Sequence, residues 1–245
     1  MSANELTLLA VIASLTPNNK SSAFVEFGSF LGRSASVLAK HLPSDVVFYS
    51  VDIWNESAVP YNIDWWLDKP IPRISGVCGT LDLNSPMVHN FLELVRLAEK
   101  NQNWRVAFDK CVEGIRPPEK FKVFQGPTSN FNFPNDQDCV VFVDADHSYS
   151  GVRKDLSMVP SRSNMLILGH DFNIDNHSGL IRAVMDHRNA KHKPLLVAFP
   201  GTEIWSFWPI EGYWADKLEL VTKSYLLAKR ALDLPINYKY NTTCV

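Results

Sequence analysis

The chain has 245 residues, 46% of them hydrophobic and 20% charged, and its formal net charge is −2 at pH 7. This composition suits one packed α/β domain over residues 1–245, and the slightly acidic balance argues against nucleic acid as a partner. No apolar run reaches the roughly 20 residues that a membrane-spanning helix needs, so no membrane partner is expected. The four cysteines are scattered along the chain, which indicates reduced thiols and a cytoplasmic location.

The first part of the chain predicts a strand, a glycine turn and a helix. A short helix is predicted over Leu6–Leu15, before the strand, and a second helix over 33–42, after a turn that contains Gly28 and Gly32. Because glycine has no Cβ, a ligand can approach the backbone closely at this turn. The free amides at the start of the helix favour an anionic group such as a carboxylate or phosphate. Glu26 offers an acceptor at the same place.

A second strand is predicted over Val46–Asp52 and, like the first, it ends in an acid. An acid at the end of the second strand is how nucleotide-binding α/β folds hold a ribose diol. The turn before it has only two glycines, Gly28 and Gly32, whereas the dinucleotide fingerprint requires three. The sequence therefore indicates a nucleotide-type ligand but argues against a dinucleotide.

The segment 55–85 interrupts the alternation of strands and helices directly after the second strand. It contains Tyr61, Trp65 and Trp66, together with prolines and several acids. Aromatic side chains beside a pocket often mark a binding surface, which would make this segment a lid or a wall of the substrate site. A packed surface insertion explains the same composition, so both interpretations stay open.

The rest of the chain continues the alternation, which predicts a parallel sheet with helices packed on it. Strands are predicted at 121–124, 139–144, 164–171, 195–199 and 203–208, and helices at 86–100, 150–159, 178–190 and 214–233. The break at Pro200-Gly-Thr predicts a hairpin between the last two strands. The fourth strand ends in Asp144 and the fifth in His170-Asp171, at the sheet edge where open α/β sheets bind ligands.

Three blocks of sequence carry a family resemblance, which covers roughly residues 22–54 and 120–210. Glu26-x-Gly28-x-x-x-Gly32 resembles motif I of the class I S-adenosylmethionine (SAM)-dependent methyltransferases, and Ser34 after it is similar to the small-molecule O-methyltransferases. Asp144-x-Asp-His-x-Tyr149 and His170-Asp171 resemble bacterial methyltransferases with these motifs after strands four and five. The resemblance implies a Rossmann-like fold with a seven-stranded, mostly parallel sheet, helices on both faces and a terminal β-hairpin. It also implies O-methylation of a small hydroxylated molecule such as a sugar, a phenol or a natural product.

The same resemblance implies which residues hold SAM. Gly28, Ser29, Gly32 and Ser34 would surround its methionine end, and Glu26 would orient the turn or bind the amino group. Asp52 would take the ribose hydroxyls, and Ile53 or Trp54 would pack on the adenine, unless Trp54 is a core residue. Gly126 and Thr128 fall where the family contacts the adenine edge, and Asp144 completes the predicted cofactor-binding residues.

Methyl transfer to a hydroxyl needs the oxygen and the methyl group held in line, and it needs the hydroxyl proton removed. A general base or a divalent cation can do the second task. His147, His170 and Asp171 are the predicted catalytic residues. Asp144, His170 and Asp171 are the predicted ligands for Mg²⁺ or another divalent cation. His170 departs from the carboxylate or amide of the metal-dependent relatives, and His147 would also suit a helix cap.

Three other functions remain as alternatives: a Rossmann-type oxidoreductase, a methyltransferase that acts on protein or nucleic acid, and a binding module without activity. The missing third glycine disfavours the first, and the acidic balance disfavours a nucleic-acid substrate. The aromatic insertion and the C-terminal helix could form a homo-oligomer interface. His177, His187 and His192 show no usable spacing and are expected on the surface.

Overall fold

The computed structural model describes residues 1–54, 86–134, 138–160, 162, 165–190 and 195–233. The segment 55–85, for which a lid or substrate wall was one interpretation, lies outside the described residues. None of the described helices is long and apolar enough to cross a membrane.

Seven strands form one sheet. They are β1 Ser22–Phe27, β2 Val47–Asp52, β3 Phe121–Gln125, β4 Asp138–Val143, β5 Leu166–Gly169, β6 Leu195–Ala198 and β7 Trp205–Trp208. Their order in the sheet is β3-β2-β1-β4-β5-β7-β6. Strands β1 to β5 run parallel, whereas β7 is antiparallel to both β5 and β6. This topology confirms the predicted Rossmann-like, mostly parallel sheet with a terminal hairpin.

The described helices are α1 Ala3–Ser14, α2 Arg33–His41, α3 Pro86–Asn101, α4 Trp104–Val112, α5 Tyr149–Met158, α6 Ser178–Ala190 and α7 Leu218–Asp233. Helix α1 begins before the predicted Leu6 because Ser2 and Glu5 form a capping box, in which each side chain accepts a hydrogen bond from the other's backbone N–H. This box satisfies two N–H groups that the first turn would otherwise leave unpaired.

Helix α4 was not predicted from the sequence. Asn103 caps its start by accepting the N–H of Arg105 at 2.8 Å. Its apolar face, which includes Phe108, is buried against the turn between β1 and α2, and a Cβ on Gly32 would come within 3.1 Å of the Phe108 ring. The unpredicted helix therefore lies directly behind the glycine turn.

Apolar side chains form a core on each face of the sheet, and β1 contributes residues to both. All six residues of β1 are buried. Phe24 points to the core that α1, α2, α4 and α7 cover, whereas its neighbour Val25 points to the core under α5 and α6. Burial on both faces is typical of a central parallel strand. Chain order reverses between β1 and β4, so the carboxyl ends of these two strands form the switch point where such sheets bind ligands.

Candidate active site

The glycine turn brings the ends of β1 and β4 into contact. Gly28 has a φ of +86°, and a Cβ built on it would lie 2.1 Å from the backbone oxygen of Asp144. Gly32 also has a φ of +86° and is the N-cap residue of α2. Glycine adopts a positive φ more readily than other residues, and at Gly28 it also leaves room for the end of β4. Both predicted glycines are thus required by the local geometry.

Glu26 lies beneath this turn rather than on the surface of the cavity above it. Its carboxylate accepts a hydrogen bond from Ser29 Oγ at 2.6 Å, and Ser50 Oγ donates in turn to Ser29 Oγ at 2.5 Å. Glu26 Oε1 is buried without a hydrogen-bond partner. Burial raises the pKa of Glu26 to about 8, although hydrogen bonds from Ser29 and Ser34 lower it. Of the two predicted roles for Glu26, this placement favours orientation of the turn.

A cavity of about 810 Å³ opens above the switch point. The predicted site residues that line it are Gly28, Ser29, Ser34, Asp52, Gly126, Thr128, Asp144 and His147. The lining does not include Glu26, Gly32, Trp54, His170 or Asp171. The structure therefore brings together residues from the ends of β1, β2, β3 and β4, as the parallel sheet requires.

Asp52 and Trp54, at the end of β2, lie in different places: Asp52 lines the cavity, whereas Trp54 is buried in the core. Asp52 lines the cavity while its two oxygens accept the N–H groups of Phe30 and Trp54, both at 2.8 Å. The Trp54 side chain instead turns into the core, where it packs on Phe108 with ring centroids 4.7 Å apart and donates Nε1 to the Phe30 oxygen. Ile53, which is 48% exposed, takes the position on the cavity. The structure thus places Trp54 in the core, the alternative that the sequence left open, since its indole packs over α4.

Two histidines and two carboxylates meet where β4 and β5 end. His147 Nε2 lies 2.7 Å from Asp171 Oδ2 and 3.4 Å from Asp144 Oδ1. His170 Nδ1 lies 3.2 Å from Asp171 Oδ1 and 3.6 Å from Asp144 Oδ1. Asp171 has a φ of +59°, a left-handed conformation that non-glycine residues seldom adopt. The cluster brings together all four of the residues predicted for catalysis or metal binding.

The imidazoles and carboxylates of this cluster shift one another's pKa values. Hydrogen bonds with Asp144 and Asp171 raise the pKa of His147 to about 10. Burial lowers the pKa of His170, but three neighbouring carboxylates outweigh it and raise that pKa to about 12. Burial raises the pKa of Asp171, yet the two imidazoles hold it well below its usual range. At neutral pH both imidazoles are therefore protonated and the Asp171 carboxyl is ionised, as long as nothing else binds the carboxylates.

Two further side chains, Glu5 and His177, extend the cluster, and the sequence analysis assigned neither of them to it. Glu5 of α1 is buried, its Oε1 lies 3.4 Å from His170 Nε2, and it accepts the backbone N–H of Glu203 at 3.0 Å. His170 Nε2 has no hydrogen-bond partner among the described residues, so its contact with Glu5 is an ion pair. His177 was expected on the surface but lies 3.8 Å from Asp171, with its ring centroid 5.1 Å from that of His147. No local pattern indicates Glu5, because α1 lies far from β5 in the chain, and His177 stands in a loop with no motif of its own.

The donor set suits a divalent cation, with one change from the predicted ligands. Asp144, His147 and Asp171 offer one ligand atom each, all within 4.8 Å of one another. A second group in the described part of the chain joins His170 and Asp171 to Glu203. His147, which lines the cavity, joins Asp144 and Asp171 in the first group, whereas the predicted ligand His170 joins Asp171 in the second. Carboxylates with one imidazole accept Mn²⁺ or Zn²⁺ as well as Mg²⁺.

Comparisons with known proteins were made against families, curated sequences and solved structures. A family model described as a methyltransferase domain matches residues 25–172. No curated protein sequence shows a significant match.

Among solved structures, a protein from Corynebacterium glutamicum is 11% identical with a TM-score of 0.53, covering 86% of this chain and 83% of its own. An O-methyltransferase from Bacillus cereus in complex with S-adenosylhomocysteine is 14% identical with a TM-score of 0.45, and the match covers 84% of this chain and 81% of that one. A TDP-rhamnose 3′-O-methyltransferase of calicheamicin biosynthesis is 12% identical with a TM-score of 0.45, and the match covers 82% of this chain and 76% of that one.

The family match spans the glycine turn, the Asp144–Tyr149 segment and the His170-Asp171 pair, which are the blocks that carry the resemblance. The Corynebacterium structure supports the fold alone. The match decides between the hypotheses in favour of a methyltransferase and against an oxidoreductase. The chain belongs to this methyltransferase-domain family and is a class I SAM-dependent methyltransferase.

Proposed function

We propose that the protein transfers the methyl group of SAM to a hydroxyl group of a small molecule, such as a sugar, a phenol or a natural product. The observation that carries the proposal is the position of His147. It lines the cavity beside the glycine turn, and its Nε2 lies 2.7 Å from Asp171. Cys111 and Cys139 are thiols in this structure, which supports a cytoplasmic location as part of the proposal.

The cavity fits SAM along the ends of β1, β2 and β3. When bound, SAM supplies a methyl group on a positively charged sulfur. The first turn of α2, with Ser34 on the cavity, would receive the methionine carboxylate at a helix N-terminus. Asp52 already accepts two backbone N–H groups, but a carboxylate has about four acceptor positions. It therefore keeps capacity for the two ribose hydroxyls.

The charges of the cluster argue for a cation-assisted reaction. A general base must be neutral to take a proton, yet the carboxylates raise the pKa values of His147 and His170 to about 10 and 12. A divalent cation held by Asp144, His147 and Asp171 would lower the pKa of a bound acceptor hydroxyl. His170 then has a positioning role: between Glu5 and Asp171 it holds the carboxylate that faces His147.

The proposal is tested first by calorimetric titration of the protein with S-adenosylhomocysteine, with NAD as the control ligand. We expect micromolar binding of S-adenosylhomocysteine and none of NAD. Transfer from methyl-labelled SAM is then measured on hydroxylated sugars and phenols, after EDTA and after re-addition of Mg²⁺, Mn²⁺ or Zn²⁺. Transfer that survives EDTA unchanged would contradict the cation-assisted step. Absence of S-adenosylhomocysteine binding would contradict the proposal as a whole.

A further inference from the structure

Trp54 links the glycine turn to the end of β2 through its side chain, although it does not line the cavity. Its indole Nε1 donates a hydrogen bond to the backbone oxygen of Phe30 at 2.8 Å. The backbone N–H groups of Phe30 and Trp54 donate to the two oxygens of Asp52, each at 2.8 Å. These three hydrogen bonds form a closed network, the Phe30–Asp52–Trp54 network, in which one bond depends on a single side-chain nitrogen.

The network holds two residues in an unfavourable backbone conformation. Phe30 has a φ of +43° and Trp54 a φ of +39°, and bulky residues seldom occupy this left-handed region. Such a conformation persists only where the surrounding contacts impose it. Trp54 is 4% exposed and packs on Phe108. Phe30 packs in turn on Trp104, with their ring centroids 5.0 Å apart. The indole hydrogen bond joins these two packed side chains, so it helps to fix the shape of the turn.

The same network sets the orientation of Asp52. Each of its oxygens accepts one of the two backbone N–H groups, so the carboxylate cannot rotate without breaking one of these bonds. Asp52 lines the cavity, and its other acceptor positions stay available to a ligand. An acceptor that is fixed before the ligand arrives lowers the ordering cost of binding. Without the indole donor, Phe30 can leave its left-handed conformation, and its N–H then releases one oxygen of Asp52.

We infer that Trp54 is a positioning residue for cofactor binding: through Phe30, its indole N–H holds Asp52 in the orientation that accepts the ribose. The inference rests on the proposed function, in which Asp52 takes the ribose hydroxyls. It requires no contact between Trp54 and the cofactor, because the indole acts through the backbone of the glycine turn. Trp54 then has two roles, one in the packing of the core and one in the affinity of the site.

The test removes the same donor at two places. Trp54→Phe deletes the indole N–H and keeps an aromatic ring, and Trp208→Phe does the same on β7, where Nε1 donates to the Trp214 oxygen at 2.7 Å. Calorimetric titration should show S-adenosylhomocysteine binding roughly three- to tenfold weaker in Trp54→Phe, the effect of one hydrogen bond. Trp208→Phe should bind within about twofold of wild type, because three strands separate β7 from β2.

The outcomes separate the inference from the proposed function. Equal affinities of Trp54→Phe and Trp208→Phe for S-adenosylhomocysteine would overturn the role of Trp54 and leave the proposed function intact. Absence of binding by the wild type would overturn the proposed function and this inference with it.

A double variant distinguishes positioning of Asp52 from general support of the fold. Asp52→Asn leaves one acceptor oxygen for two N–H groups, so the network is already broken in that variant. If Trp54 acts through Asp52, adding Trp54→Phe to Asp52→Asn should weaken S-adenosylhomocysteine binding no further. Losses of affinity that add in the double variant would contradict the inference.

A measurement on the wild type keeps the inference testable if Trp54→Phe does not fold. By linkage, S-adenosylhomocysteine must stabilise the Trp54 hydrogen bond by the same factor by which that bond strengthens binding. Hydrogen exchange of the indole N–H groups, followed by NMR, should therefore slow roughly three- to tenfold at Trp54 when the ligand binds, and less at Trp208. An equal change at the two indoles would show that Trp54 is not coupled to the cofactor site.

Discussion

At the scale of single residues, the site is built from carboxylates with opposite behaviour. Burial raises the pKa of Glu26 to about 8, because its hydrogen bonds with serine hydroxyls do not replace the water lost on folding. Burial also acts on Asp171, but two imidazoles reverse its effect and lower that pKa. The same side-chain type therefore serves as a neutral support under the glycine turn and as an ionised group in the cluster.

Glu26 makes the stability of the protein depend on pH. A carboxyl group whose pKa is raised by folding stabilises the folded state fully below its unfolded pKa of 4.5, and this contribution is lost as pH rises through about 8. The loss is on the order of 1.4 kcal/mol for each pH unit crossed. We expect the free energy of unfolding of the wild type to fall between pH 5 and 8 relative to Glu26→Gln. Urea unfolding at several pH values measures this difference.

The exposed Glu113, which pairs with Lys110 on the surface, provides the control. Glu113→Gln should follow the wild-type pH dependence throughout. A constant difference between wild type and Glu26→Gln across this range would show that Glu26 is ionised in the folded protein.

Asp52 should matter for cofactor affinity. Asp52→Asn removes the charge that faces the ribose position, and it leaves only one oxygen for the N–H groups of Phe30 and Trp54. We expect S-adenosylhomocysteine binding to weaken by about 1–3 kcal/mol, measured by calorimetry. Asp216→Asn, at a side chain 77% exposed beside Lys217, is the matched control and should bind normally. Unchanged affinity in Asp52→Asn would remove Asp52 from the ribose role.

Asp171 should matter for turnover and not for cofactor binding, because it contacts His147 but does not line the cavity. Asp171→Asn suits the test, since asparagine tolerates the left-handed conformation at this position. We expect methyl transfer to fall roughly 10²- to 10⁴-fold, with S-adenosylhomocysteine affinity within about twofold of wild type. Normal turnover would exclude both the cation-binding and the positioning role of this carboxylate.

At the scale of elements, the end of α2 depends on a single side chain. The guanidinium of Arg116 donates to the backbone oxygens of Ala39, Leu42, Pro43, Ser44 and Val46. These carbonyl groups belong to the end of α2 and the loop that leads to β2. Arg116 therefore fixes the helix whose first turn lines the cavity, from the opposite end.

We expect Arg116→Met to destabilise the protein by roughly 2–4 kcal/mol, because several carbonyl groups lose a charged donor at once. The control is Lys110→Met, whose exposed pair with Glu113 should contribute less than about 1 kcal/mol. Thermal unfolding of both variants measures the contrast. Equal stability of Arg116→Met and the wild type would show that water replaces the guanidinium without cost.

At the scale of the whole molecule, the sequence predicts the sheet better than the site. Strands such as β4 are continuous apolar runs that end in an acid, and Gly28 and Gly32 mark the turn between β1 and α2, so local pattern was sufficient. Helix α4 was missed because it has only 9 residues and its cap is a single asparagine. Glu5 and His177 were missed because only the tertiary fold, with α1 and the loop after β5 at the same edge, brings them to Asp171 and His170.

The bond between Glu5 and the backbone of Glu203 joins residues 198 positions apart in the chain. Contacts of such high sequence separation form slowly, since a long stretch of chain must be brought together first. On a ribosome, the cluster around His170 has no complete set of neighbours until most of the polypeptide has emerged. The sheet edge that carries this cluster should accordingly be among the last regions to gain protection from amide hydrogen exchange during refolding, after the β1–β2–β3 half of the sheet.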